Sequence, residues 1–412
     1  MLLDLTPLKK YRDFRLLFLG QMVSFLGSMI TYVAVPYQVY ALTKSNLMVG
    51  LLGTVQLVPV LVFGLIGGSV ADAMDRRKLL LVSEAIMSLG ALGLAINSAL
   101  PEPSLWFIFI IAALMQAASG FHRPAMDAMT QKLVAVEDLP SISALGSLRY
   151  SAGAVAGPAL GGLLIAGAGA KVAYLVDFGT FLFALTMLWM MRRMPPPEQT
   201  HAPGLRSIVE GLQYAVKRPE LIGTYVVDIV AMTFAFSTAL FPAMGEGWGG
   251  AAAAGALFSA MSVGSLVMTA LSGWTGRVRR RGAAVVISAA LWGVTMVGFG
   301  LAPNLPLALV FLGLSGAADM VSGLFRGVIW NETIPNHMRG RMSGIEMISY
   351  MSGPLMGNAR AGWVATLTTT RLSIISGGVL CVVGVVLCGL LLPAFWRYRS
   401  VAAEAQGVPA EP

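Results

Sequence analysis

Charged residues are scarce in this sequence: Asp, Glu, Lys and Arg make up 12% of its 412 residues, where a soluble domain carries about a quarter. A chain so poor in charge cannot cover itself with a hydrated surface. Histidine occurs three times and cysteine twice, which leaves few general bases or metal ligands. Cys381 and Cys388 lie seven apart on one face of the last apolar run, as packing residues do, and give no disulfide framework. No G-x-S-x-G, H-E-x-x-H, Walker loop or dinucleotide glycine fingerprint is present. Those absences weigh against an integral-membrane enzyme, and the missing Walker loop weighs against ATP as an energy source.

What the chain has instead is apolar length. Hydrophobic residues make up 56% of it, and the stretches Asn46–Ala71 and Leu372–Trp396 carry no charge at all. About twenty helical residues cross the hydrocarbon core, and backbone groups in lipid must pair within their own segment, so the runs are expected to be membrane-spanning helices. Charge breaks and turn residues divide them into twelve expected spans, at 16–40, 47–71, 78–99, 105–129, 141–166, 171–191, 219–244, 251–274, 283–301, 306–329, 342–367 and 372–395. The apolar stretch after Arg15 is too long for a signal-peptide core and is kept as the first span.

Lys and Arg mark the cytoplasmic loops. With these spans, twenty-one basic residues fall on one side, Lys44, Lys171 and Arg371 on the other, and Arg123, Arg149, Arg326 and Arg360 within spans. Both termini are therefore expected in the cytoplasm. The net charge of +8 follows from that asymmetry and calls for no nucleic acid.

Two segments half a chain apart repeat one another. Tyr150, Gly153, Gly157, Ala159 and Gly162 recur as Tyr350, Gly353, Gly357, Ala359 and Gly362 at a constant offset of 200. Arg123 and Thr130 recur as Arg326 and Thr333 at an offset of 203. Such echoes inside apolar helices indicate a duplicated half-length membrane unit, here in parallel orientation. Between the halves a polar, Pro-rich segment opens at Arg192, and its later part, 205–216, has the pattern of a short amphipathic helix. The expected organisation is an N-terminal six-helix bundle at 1–192, a cytoplasmic linker at 193–218 and a C-terminal six-helix bundle with a short tail at 219–412.

Gly153-x-x-x-Gly157-Pro158-x-x-Gly161-Gly162 on the fifth span strips side chains from one helix face and deletes a backbone hydrogen bond. Gly68-Ser-Val-Ala-Asp72-Ala-Met-Asp75-Arg76-Arg77-Lys78 joins the second and third spans and sets a carboxylate beside three bases. These motifs, with phrases such as Val33-Ala-Val-Pro36 and Gly340-Arg341-Met342, resemble the antiporter signature and the signature loop of the major facilitator superfamily, within its drug-efflux branch. The loop departs from the family pattern at Ala73, where Arg is usual, and at Asp75, where Gly is usual. The resemblance implies an all-α membrane protein of twelve helices in two pseudo-twofold-related six-helix bundles. It also implies a monomer in a bacterial inner membrane. Its function would be that of a secondary transporter exporting siderophores, drugs or other amphiphilic small molecules in exchange for protons, with no cofactor. The fifth-span motif would seal one face against proton leak, and Gly68, Asp72, Arg76 and Arg77 would form a conformational latch. Uptake transport is the main competing reading.

Ionisable residues within spans are costly, about 2.5–3.5 kcal/mol each at the centre, and mark pathways. Asp228 and Asp319 are the deepest carboxylates by position, and the resemblance implies that spans one, four, seven and ten line the central cavity. Asp228 first and Asp319 second are therefore the expected proton carriers. Arg123, Arg149 and Arg326 are the expected counter-charges or ligands for an anionic substrate. The alternative for any one of them is a static interhelical ion pair. Glu84 is placed near the cytoplasmic end of its span and Asp177 toward the opposite side; His122 is read either as a protonatable neighbour of Arg123 or, more commonly for a lone histidine, as a packing or hydrogen-bonding residue. A polar stripe on the first span, Gln21, Ser24, Ser28, Thr31, Tyr32 and Gln38, suits a cavity wall, with ordinary interhelical hydrogen bonding as the alternative.

Overall fold

The computed structural model of the chain describes residues 4–192, 205–335 and 338–399. Among these the structure is helical throughout, with no strand beyond an isolated bridge between Arg280 and Arg399. The long helices are α2 (Arg12–Thr43), α3 (Asn46–Ala73), α4 (Arg76–Ala99), α5 (Leu105–Lys132), α6 (Leu139–Trp189), α8 (Pro219–Ala235), α10 (Ala251–Ala270), α11 (Arg281–Leu301), α12 (Leu305–Thr333), α13 (Arg339–Leu367) and α14 (Thr370–Leu391). Shorter helices are α1 (Thr6–Lys10), α7 (Leu205–Val216), α9 (Phe241–Glu246) and α15 (Pro393–Trp396).

Local chemistry explains where these helices begin. Ser45, Asp75, Ser104, Asn304 and Thr369 each accept a backbone N–H from the first turn of the helix that follows, which satisfies donors that no intrahelical carbonyl reaches. Asp75 is one of the two departures from the family loop. Its carboxylate accepts from Arg77 N at 2.9 Å and Lys78 N at 3.3 Å, so the substitution of Asp for Gly supplies α4 with a cap.

Ten helical stretches among the described residues are long and apolar enough to cross a membrane, so the fold is an all-α, multi-spanning one. Two differences from the expected twelve have physical causes. The fifth and sixth expected spans form one continuous stretch in α6. At a rise of 1.5 Å per residue that helix would extend about 77 Å, more than twice a hydrocarbon core. Gly169 breaks it with φ 81° and ψ 166°, a backbone conformation open only to glycine. The eleventh expected span coincides with α13, which is absent from the ten and whose described residues include Asn358 and Arg360.

The described residues group into two compact units. Unit 1 draws on Met1–Ala202 and Phe241–Ser259, and unit 2 on Pro203–Leu240 and Ala260–Pro412. The expected linker at 193–218 lies partly outside the described residues, and its later part is helix α7.

The two units repeat a packing theme. In unit 1 a Cβ on Gly157 would meet Leu26 O of α2 at 3.0 Å, and one on Gly161 would meet Ile30 Cα at 3.1 Å. In unit 2 a Cβ on Gly353 would meet Met232 Cβ of α8 at 2.7 Å, and one on Gly357 would meet Phe236 O at 2.8 Å. The duplicated glycines thus let α6 approach α2, and α13 approach α8, to backbone contact. Where the first copy has Pro158, the second has Asn358, and there the geometry differs. Asn358 Oδ1 accepts from Ala239 N at 2.8 Å and from Thr238 Oγ1 at 3.1 Å. It thereby satisfies the backbone where the seventh expected span stops at α8 and restarts at α9.

Candidate functional site

The expected site residues fall in both units. In unit 2 three helices converge on Arg326 of α12. Its guanidinium pairs with Asp228 of α8 and stands 4.0 Å from Asp319. Ser349 of α13 donates to the other Asp228 oxygen at 3.2 Å. Asp319 and Arg326 lie two turns apart on one face of α12, and this spacing lets a single guanidinium serve both acids.

Exposure separates the two carboxylates. The side chain of Asp228 is 5% exposed and that of Arg326 8%, whereas that of Asp319 is 30% exposed. A buried ion pair of this kind tolerates neither partner's loss, because the survivor keeps its desolvation penalty with nothing to offset it. Arg326 therefore sits between one sealed acid and one open acid, with its Nε unpartnered among the described residues. One turn further along α12, Trp330 stacks on Tyr225 with ring centroids 5.7 Å apart and donates to Thr224 Oγ1 at 2.9 Å. Phe325 is fully buried against Trp274 and serves as core; Tyr350 is exposed.

In unit 1, Arg149 of α6 reaches Met126 Sδ at 3.2 Å and lines a cavity of about 540 Å³. Phe14, Leu17 and Phe18 of α2 form an apolar wall, and Asp127 of α5 supplies an acid. Arg123 lies one turn from Asp127 on the exposed face of α5 and does not line the cavity. The cavity combines aromatic surface with both charge signs, the chemistry that an amphiphilic ligand needs.

The glycine motif faces two helices within unit 1. Gly153, Gly157 and Gly161 lie against Phe25, Met29 and Ile30 of α2, and a Cβ on Gly162 would meet Ala251 O at 2.6 Å and Gly255 Cα at 2.8 Å in α10. Pro158 O lies 2.6 Å from where a Cβ on Gly255 would stand, and Ser259 Oγ donates to Val155 O at 2.9 Å. Of the loop motif, Arg77 donates from Nε to Leu188 O at 2.9 Å and from Nη2 to Trp189 O at 2.7 Å, holding the last carbonyls of α6. Arg76 begins α4. Gly68 and Asp72 lie in the final turns of α3, and the surroundings of both fall outside the described residues.

For one set of residues the structure decides between the two readings, Tyr32 alone of the outer members remaining exposed. The first-span stripe turns inward: Gln21, Ser24, Thr31 and Gln38 are all buried within unit 1. Gln21 and Ser24 donate to Glu84 of α4, Thr31 donates to Asp177 of α6 at 2.5 Å, and Gln38 accepts from Tyr174 at 2.8 Å. Glu84 and Asp177 are fully buried, although sequence position put them toward span ends. The signal was there in the stripe, whose spacing matches two acids on neighbouring helices, but pairing it required knowing which way α2 is turned.

Comparison with known proteins fits this architecture. A family model described as transmembrane secretion effector matches residues 4–406. The enterobactin exporter EntS of Citrobacter koseri is 30% identical over 411 residues, covering 99% of this chain and 98% of that protein. EntS of Shigella boydii is 31% identical over 407 residues, covering 98% and 97%. Among solved structures, a POT family transporter in complex with 5-aminolevulinic acid superposes with a TM-score of 0.73 at 11% identity, covering 93% of this chain and 97% of that one. A bacterial homologue of the iron transporter ferroportin in an inward-facing state gives 0.70 at 15% identity, covering 93% and 98%.

Proposed function

The chain belongs to the transmembrane secretion effectors of the major facilitator superfamily, a multi-pass bacterial inner-membrane transporter of small molecules and not an enzyme, and we propose that it exports amphiphilic compounds in exchange for protons. The observation that carries the proton coupling is Arg326 held between buried Asp228 and half-open Asp319. A proton taken up by Asp228 would neutralise it, release Arg326 and leave Asp319 as the remaining counter-charge. Loss of that proton would restore the original pair. Two arrangements of one cation, each selected by a protonation state, form the bistable element that an antiporter needs.

The proposed substrate is a siderophore or drug-like amphiphile. The relatives' names specify enterobactin, and the cavity at Arg149, with aromatic walls and both charge signs, suits a ligand that carries an anionic group on an apolar body. In this reading α2 to α14 supply twelve crossings as two pseudo-twofold-related six-helix bundles, 1–192 and 219–412. The segment 193–218 and both termini are cytoplasmic, and the protein works as a monomer by alternating access. Arg123 serves as an accessory counter-charge on α5. The fifth-span glycines with Pro158 form the sealing seam, while Gly68, Asp72, Arg76 and Arg77 form the latch.

Everted membrane vesicles given enterobactin and an imposed pH gradient test the proposal. Accumulation driven by an acidic interior is the expected outcome. Movement in the opposite sense identifies an uptake transporter, and flux indifferent to the gradient ends the antiport reading.

A further inference from the structure

Unit 1 contains ionisable groups that the Asp228 site does not use. Glu84 is fully buried on α4. Its Oε1 accepts from Gln21 Nε2 of α2 at 2.6 Å and lies 2.9 Å from His122 Nε2 of α5, while its Oε2 accepts from Ser24 Oγ at 3.3 Å. The His122 side chain is 15% exposed, so the imidazole is the less enclosed partner.

Among the described residues, the side-chain partners of Glu84 are Gln21, Ser24 and His122, and none of them is a lysine or arginine. From α2 come only the neutral Gln21 and Ser24. From α5 come Arg123, next in sequence to His122, and Asp127, just over a turn beyond it. From α6 comes Asp177, a second buried acid already held by Thr31 and Thr180. On α4 itself Arg77 is committed to Leu188 and Trp189, and Arg76 and Lys78 lie toward the start of the helix. A buried carboxylate without a neutralising partner is strongly disfavoured, so the charge state of Glu84 is tied to that of His122.

The hydrogen bonds place the exchanging proton. The Gln21 amide nitrogen can only donate, so Oε1 accepts from it, and when Glu84 is ionised His122 Nε2 donates to the same oxygen. The ring nitrogen left to gain or lose a proton is Nδ1. A proton from water adding there makes an imidazolium that the carboxylate neutralises. Its departure restores the neutral ring and leaves a bare buried carboxylate.

From this geometry we infer that Glu84 and His122 form a proton-binding site of unit 1, separate from the Asp228 cluster. It deepens the antiport reading, on which its place in transport rests, by giving the transporter a second protonatable site.

The test uses the full-length protein in nanodiscs with isotope-labelled histidine. Three histidines give three ring signals, and His122→Gln assigns one of them. Glu84→Gln is expected to weaken proton binding by the His122 ring about tenfold or more, with Glu84→Asp intermediate. A ring signal that does not change with pH, or one whose midpoint is unmoved by Glu84→Gln, overturns the inference. If Glu84→Gln does not fold, the pH midpoint at which the protonated-carboxyl infrared band of Glu84 appears decides, because the linkage is reciprocal: it must move between wild type and His122→Gln, and an unmoved midpoint has the same overturning force. The measurement involves no transport, so its failure leaves antiport at Asp228 standing. Conversely, flux indifferent to a pH gradient would leave this pair intact.

Discussion

Arg326 stands 4.0 Å from Asp319 on its own helix while its guanidinium is paired with Asp228 on another. One cation thus faces two acids of unequal exposure, and their replacement has unequal consequences.

Asp228→Asn leaves Arg326 buried with only the more distant acid. The expected cost is about 3–5 kcal/mol of stability, together with loss of pH-driven efflux. Asp319→Asn removes a longer, partly solvated interaction and is expected to cost within about 1 kcal/mol, while still abolishing coupling. Thermal unfolding in detergent and gradient-driven flux in proteoliposomes read the two effects separately. Coupled transport surviving in both variants would sink the role given to this cluster.

Arg77 acts on the fold through two backbone carbonyls of α6. Arg77→Ala is expected to destabilise the protein by about 1.5–3 kcal/mol, the worth of hydrogen bonds from a charged donor. Arg77→Lys, a compact ammonium that cannot present the same fork, should recover only part of that. Equal unfolding midpoints for wild type and Arg77→Ala would show that the contact with Leu188 and Trp189 carries no weight.

Asn358→Ala strips the acceptor from Ala239 N and Thr238 Oγ1 at the break between α8 and α9. The loss is expected to be about 1–3 kcal/mol, with faster amide exchange at Ala239 than in wild type. Unchanged exchange there would mean that some other group already satisfies the break.

At the exposed end of unit 1, Lys10 and Tyr11 both donate to Asp138 at 2.8 Å. The Lys10 contact first, then Tyr11, holds the Asp138 carboxyl below its ordinary value of 3.8, and the same contact raises Lys10 above 10.5. A lowered acid contributes above its unfolded value and loses that contribution as pH falls through the folded one; a raised base contributes below its unfolded value and loses it at high pH. The tether between α1 and the start of α6 should therefore be complete from about pH 4 to about pH 10 and loosen outside that window. Amide exchange in α1 as a function of pH measures this, and Asp138→Asn should remove the acid-side dependence. A variant with an unaltered acid limb would refute the assignment.

Several features were legible along the chain because each belongs to a residue or a short segment. Low charge and long apolar runs specify lipid as the solvent. Charge breaks and turn residues divide the spans, and the glycine repeat exposes the duplication and the family. The same reasoning found Arg326, Asp228 and Asp319, since an ionisable group inside an apolar run is conspicuous whatever its neighbours are. Helix α7 at 205–216 likewise lies where the amphipathic pattern placed it.

Partnership was not legible, because each helical residue turns its side chain by about 100° from the last and nothing local records which face meets which neighbour. Gln21, Ser24 and Thr31 read equally well as a wetted wall or as donors to buried acids, and only the rotation of α2 against α4 and α6 made them the latter. Glu84 and His122, 38 residues apart, became one site only when α4 and α5 packed. The sequence by itself determined the solvent, the segments and the kind of machine. Tertiary packing alone decided which charges share a proton, because a buried carboxylate's state depends on the groups within hydrogen-bond reach in space and not on its neighbours along the chain.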